Sequence, residues 1–131
     1  MDKSTGSLQA PRVSKIVGID LGTTHSAVAV VEAGMPGILA DAEGRRLLPS
    51  IVHFPKQGEP VVGVAAKRIQ TVEPERTVSS AKRFMGRSEV TLVDGEAASP
   101  VEISALILKT LRIEAEEALG EPVNRAVITV P

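Results

Sequence analysis

Gly18-Ile19-Asp20-Leu21-Gly22-Thr23-Thr24-His25-Ser26 is the stretch on which the reading of this chain turns. Apolar runs flank it, residues 16–19 on one side and 27–31 on the other, and both read as strands. The segment is then a β-hairpin whose turn is built from Asp, Gly and two Thr. Gly22 has no Cβ, so the chain there can turn tightly and let an anion approach its backbone. The N–H groups of the turn and the hydroxyls of Thr23 and Thr24 are donors of the kind that phosphate oxygens take. Asp20, at the end of the first strand, offers a hard oxygen for Mg²⁺, through water, because that ion dehydrates reluctantly. Taken alone, D-x-G-T is equally ordinary turn chemistry. The strands on both sides and the full string favour phosphate binding.

The string resembles the first phosphate loop of the actin-like ATPase superfamily, which includes sugar kinases, and more closely that of the DnaK-type (seventy-kilodalton heat-shock) chaperones. Four further segments carry the resemblance. Ala42-Glu43-Gly44-Arg45 leads to Leu48-Pro49-Ser50-Ile51, and Val62-Gly63 to Ala65-Ala66-Lys67-Arg68. The run from Ser80 to Arg87 reads S-A-K-R-F-M-G-R. Leu119-Gly120-Glu121-Pro122-Val123 precedes Ala126-Val127-Ile128-Thr129-Val130-Pro131. A sugar kinase shares the phosphate loop but not the A-K-R-x-x-G-R segment. The wording from Leu47 to His53 leans toward the iron–sulfur-assembly relatives. The resemblance runs in order over residues 15–131.

Length and composition are compatible with this. The 131 residues make one ordinary domain with a real core, and the net charge of −1 with dispersed basic residues argues against nucleic acid as the main partner. No apolar run approaches the roughly 20 residues that span a bilayer. Residues 1–14 are polar, lack the apolar centre of a secretory signal and read as a disordered leader, so a cytoplasmic location is expected. There is no Cys, hence no disulfide or thiol chemistry. Phe54 and Phe84 are the only aromatics, which leaves almost nothing to stack an adenine or a nucleic-acid base.

Along the chain, residues 16–21 and 26–32 predict a hairpin, residues 34–37 a turn around Pro36, and 38–40 a third strand. Residues 41–46 read as a polar turn and 50–54 as a strand. Two short helices are expected at 64–70 and 77–85, the second with Val78, Ala81 and Phe84 or Met85 on one face. Asp94-Gly95 after residues 90–93 suggests a small hairpin. The clearest element is a helix over 100–119. Ser99 and Glu102 form an S-x-x-E capping box, Pro100 suits the first helical position and Gly120 the stop. Ile103, Leu106, Ile107, Leu111, Ala115 and Ala118 share one face. Residues 125–130 read as a closing strand, apolar enough to be covered on both faces. The expected architecture is α/β: by resemblance, the ribonuclease-H-like first lobe of an actin-like ATPase domain. Residues 41–99 would form a reduced inserted subdomain, since relatives carry a few dozen residues between Arg87 and Pro100, where this chain has about a dozen.

The resemblance implies roles by position. Gly22, Thr23 and Thr24 would bind the phosphates of ATP or ADP, Asp20 would serve Mg²⁺, and Lys82 would help place the transferred phosphoryl group and the attacking water. A cation there stabilises developing negative charge. Composition alone reads Lys82 as a solvated side chain. Glu32, Asp41 and Glu43 have no paired spacing that suggests a metal, His25 reads as a solvent-facing tip, and His53 lacks partners at zinc spacing. A second phosphate loop, the adenosine pocket and a peptide-binding domain do not occur within these residues. The chain is therefore expected to be an N-terminal fragment of an ATP-dependent chaperone, without ATPase activity by itself. The family's partners would be unfolded peptides, a J-domain co-chaperone and a nucleotide-exchange factor. An uncovered sheet edge would favour a homodimer of the fragment. The alternatives are a sugar-kinase-like phosphotransferase and a non-enzymatic actin-like scaffold.

Overall fold

A computed structural model describes residues 15–79 and 86–129. Strands β1 (Ile16–Asp20) and β2 (His25–Glu32) pair antiparallel, Val17 opposite Val30 and Ile19 opposite Val28. Side chains alternate across a strand, so Val17, Ile19, Ser26, Val28 and Val30 are buried while Ile16, Gly18 and Asp20 are exposed. Strand β3 (Met35–Ile38) follows at once, because the turn is only Ala33-Gly34, with φ of 51° and 78°. Two left-handed residues make the tight hairpin turn that matches strand twist. The turn expected at 34–37 is thus displaced, and Pro36 lies within a strand opposite Val31. Glu32 and Met35 close the hairpin, which makes the next pair non-hydrogen-bonded, so the missing N–H of Pro36 costs no ladder bond.

Strand β4 (Leu48–Pro49) pairs with His25 and Ser26 at the start of β2. Beyond it, β5 (Ile51–His53) is the middle strand of a second sheet, between β6 (Val61–Val62) and β7 (Thr77–Ser79). Helix α1 (Val64–Gln70) begins at Gly63, where φ is +92° and an added Cβ would lie 2.6 Å from Leu48 Cδ1. Both the left-handed backbone and the close side chain demand glycine there. Residues 77–79 form strand rather than the start of the expected helix; the remainder, 80–85, lies outside the described residues. Antiparallel pairing with β5 buries Val78 and leaves Thr77 and Ser79 half-buried, and that tertiary pairing overrides a helical spacing only one turn long. A small hairpin of β8 (Val90–Thr91) and β9 (Ala97–Ala98) turns through Val93–Gly95, with Asp94 at φ 66°.

Helix α2 (Pro100–Leu119) has the caps its sequence promised. Ser99 Oγ accepts from the Glu102 amide at 2.9 Å, and the Glu102 carboxylate accepts from the Ser99 amide at 3.4 Å. Gly120 ends it in the left-handed conformation at φ 71°. Ile103, Ile107, Leu111 and Ala115, each one helical turn after the last, are buried together with Val17, Ile19, Val28, Val52, Val78 and Val123 in one core. Leu106 is half-buried, and Ala118, expected on that face, is exposed. Burying each of the larger side chains contributes about 1.5–3 kcal/mol. Strand β10 (Arg125–Thr129) runs parallel to β1, giving the order β10-β1-β2-β3. All five of its residues are exposed, whereas the apolar run suggested cover on both faces. Apolar sequence reports what a strand can bury, and it needs a neighbour to do so. Among the described residues no helix is long and apolar enough to cross a membrane.

Candidate phosphate-binding turn

The turn between β1 and β2 is held from two sides. On one, the Leu21 amide donates to Thr129 O at 3.0 Å and the Thr129 hydroxyl to Ile19 O at 3.3 Å, tying the end of β1 to β10. On the other stands Ser50, between β4 and β5. Its hydroxyl donates to Gly22 O at 2.9 Å and its amide to Thr24 O at 2.9 Å. An added Cβ at Gly22 would lie 2.1 Å from His25 O, so only glycine permits a turn this tight. The constraint is this close approach within the chain itself.

The two carbonyls at Gly22 and Thr24 are therefore turned toward Ser50. A trans peptide is planar, so the Thr23 N–H points opposite to the Gly22 carbonyl. Asp20, Thr24 and His25 are exposed, and Gly22 and Thr23 half-exposed. Asp20 pairs with Ala27 and Thr129 at the end of β1, next to the turn. The structure thus brings Asp20, Gly22, Thr23 and Thr24 to one end of the sheet. Lys82 lies outside the described residues. The set of one carboxylate, two hydroxyls and turn amides fits an anionic phosphate accompanied by a hard cation.

Other acidic side chains have their own work. Glu32 pairs with Lys15 at 2.7 Å and Glu43 with Arg45 at 3.1 Å. Asp41 accepts from the amides of Glu43 at 2.9 Å and Arg45 at 2.8 Å, closing a polar loop. The Arg45 amide, foremost, holds the Asp41 carboxyl below its ordinary value. Across a cleft of about 300 Å³ Glu114 of α2 faces this loop, and burial, then the charges of Asp41, Glu117 and Glu43, raise its carboxyl. Among the described residues no group of three or more His, Asp or Glu is arranged to hold a metal ion. His53 is buried and engages Glu73 and Thr77, each at 3.2 Å.

Sequence reasoning missed Ser26, Ser50 and Arg76. Ser26 and Ser50 are buried, with their hydroxyl oxygens 2.8 Å apart. The available signal was register: Ser26 occupies the same face of β2 as Val28 and Val30, where a polar residue needs a buried partner. Arg76 is 1% exposed and donates to the carbonyls of Phe54 at 2.6 Å and Val93 at 3.3 Å and to Glu96 at 3.0 Å. It joins the second sheet to the β8–β9 hairpin. Nothing in its local sequence announces this.

These features define a mixed α/β protein with an anion-suited hairpin turn at one end of its main sheet. The model of the Hsp70 protein family matches residues 16–93 and 88–131, nearly the whole chain, and the chain belongs to the Hsp70 family. Membership implies the N-terminal region of that family's actin-like ATPase domain, and the family binds ATP with magnesium. The match comes in two pieces that meet around residues 88–93, within the short Arg87–Pro100 connection.

Proposed function

We propose that residues 18–26 bind the phosphates of ATP or ADP, as the first phosphate loop of an ATP-dependent chaperone. The observation that carries this is the inward orientation of the Gly22 and Thr24 carbonyls toward Ser50, which directs acceptors away from an approaching anion. In this reading the turn amides and the hydroxyls of Thr23 and Thr24 donate to phosphate oxygens. Asp20 would hold magnesium through water, and Lys82 would offset negative charge on the nucleotide's phosphates. Bound Mg-ATP supplies the phosphoanhydride to be cleaved. The architecture is that of a ribonuclease-H-like first lobe, residues 15–131, preceded by a leader over 1–14. Residues 41–99 form its reduced inserted subdomain. Unfolded peptides, a J-domain co-chaperone and a nucleotide-exchange factor are the partners that family membership supports.

All the donors assigned here belong to one turn and one lysine. Weak nucleotide binding without turnover is therefore expected of this chain. Titrating it with Mg-ATP while following amide resonances tests the reading. Saturable shifts confined to Asp20, Gly22, Thr23, Thr24 and Lys82, and lost with adenosine, support phosphate binding. No shift in a folded sample favours the non-enzymatic scaffold instead.

A further inference from the structure

We infer that Ser50, backed by Ser26, is a positioning residue that sets the orientation of the Gly22–Thr23 peptide plane and so aims the Thr23 N–H of the phosphate turn. This rests on the phosphate-binding reading above for its function, though not for its geometry.

The two hydroxyls form a chain with one consistent direction. Ser50 has a single hydroxyl hydrogen, and Gly22 O takes it at 2.9 Å. The 2.8 Å contact between the hydroxyls must then be donated by Ser26 to Ser50. Both side chains are nearly sealed from solvent, at 1% and 3% exposure, so water does not substitute for either partner. The Ser50 amide fixes Thr24 O as well, at 2.9 Å. One short residue thereby holds two carbonyls of the turn.

The pin falls where the chain needs it. Glycine has the widest backbone freedom of any residue, so the plane that follows Gly22 is the one most able to rock. A planar peptide is a rigid lever, and fixing its oxygen fixes the N–H on the opposite edge. A residue without a hydroxyl at position 50 keeps the amide contact to Thr24 but gives up the hold on the Gly22 carbonyl. The Leu48-Pro49-Ser50-Ile51 segment thus acquires a task beyond strand pairing.

The experiment compares the unaltered chain with Ser50→Ala, Ser50→Thr and Ser26→Ala, free of nucleotide and then with Mg-ATP and with adenosine. In the free protein the order parameter of the Thr23 N–H should be about 0.85 in the unaltered chain and in Ser50→Thr. It should fall toward about 0.6 in Ser50→Ala, while Val52 and Val78 stay rigid. Ser26→Ala, which spares the bond to Gly22, should fall between them, and it decides the matter if Ser50→Ala does not fold. Mg-ATP affinity should drop about tenfold in Ser50→Ala and return in Ser50→Thr, the loss of roughly one hydrogen bond. An unchanged Thr23 order parameter in folded Ser50→Ala overturns the inference. So does an equal loss in Ser50→Ala and Ser50→Thr, or an equal loosening of Val52 and Val78. If the unaltered chain binds no Mg-ATP, the phosphate reading fails, and the order parameters still judge the pin.

Discussion

Arg76 ties the second sheet to the β8–β9 hairpin. Its guanidinium reaches the Phe54 and Val93 carbonyls and the Glu96 carboxylate from a fully buried position. Arg76→Met would keep the volume and strand those acceptors. A loss of about 3 kcal/mol in urea unfolding is expected, and Arg76→Lys should recover little, because an ammonium cannot fork among them. Glu114 predicts the opposite sign. Its folded carboxyl titrates above the ordinary 4.5 because of burial and then Asp41, Glu117 and Glu43. The charged form is therefore the disfavoured one in the fold. Its contribution is fully present below the ordinary glutamate value and is lost as pH rises through the raised one. Glu114→Gln should raise the melting temperature at pH 7 and leave it unchanged at pH 3; a lower melting temperature at pH 7 would refute this. Neither effect is visible in a local stretch of chain alone, since Arg76 meets Phe54, Val93 and Glu96 and Glu114 faces Asp41 and Glu43 from afar, with only Glu117 close in sequence.

At the scale of elements, what was legible was what neighbouring residues settle among themselves. The Ser99 and Glu102 cap, Pro100 and the left-handed Gly120 delimit α2 as written in the sequence. Ser99→Ala is expected to cost about 1 kcal/mol, measured as a lower urea midpoint with an unchanged slope. The β1–β2 hairpin and the Asp94-Gly95 turn were legible for the same reason. Among the short elements, the helix over 64–70 and a strand within 50–54 formed as expected, whereas residues 77–79 and the turn at 34–37 did not. Residues 77–79 carry a helical spacing and a strand alternation at once, and pairing with β5 decides between them. Pro36 marked a turn by its usual chemistry, yet an outward-facing nitrogen on an edge strand accommodates it.

For the whole molecule, the uneven cover of the main sheet matters most. Helix α2 packs against one face, while Ile16, Val31 and Val127 stand exposed at 50%, 64% and 62%. Strand β10, at the end of the sheet order, carries Arg125 to Thr129 with every position open. An exposed apolar edge strand is a template for pairing. Light scattering should show concentration-dependent association of this chain, and Val127→Lys should suppress it without lowering stability. A monomer at high concentration in the unaltered protein would remove the idea.

The sequence by itself determined the hairpin with its Asp20, Gly22, Thr23 and Thr24, the capped helix, and the family to which both point. Hairpin turns, caps and helical stripes are local bargains among residues a few positions apart. Only the tertiary structure decided that Ser50 and Ser26 stand behind the turn, that Arg76 binds the second sheet to its hairpin, and that β10 lies uncovered. Those depend on segments far apart in the sequence meeting in space, where a buried hydroxyl or guanidinium must find its partner and the faces of a paired apolar strand find no cover among the described residues.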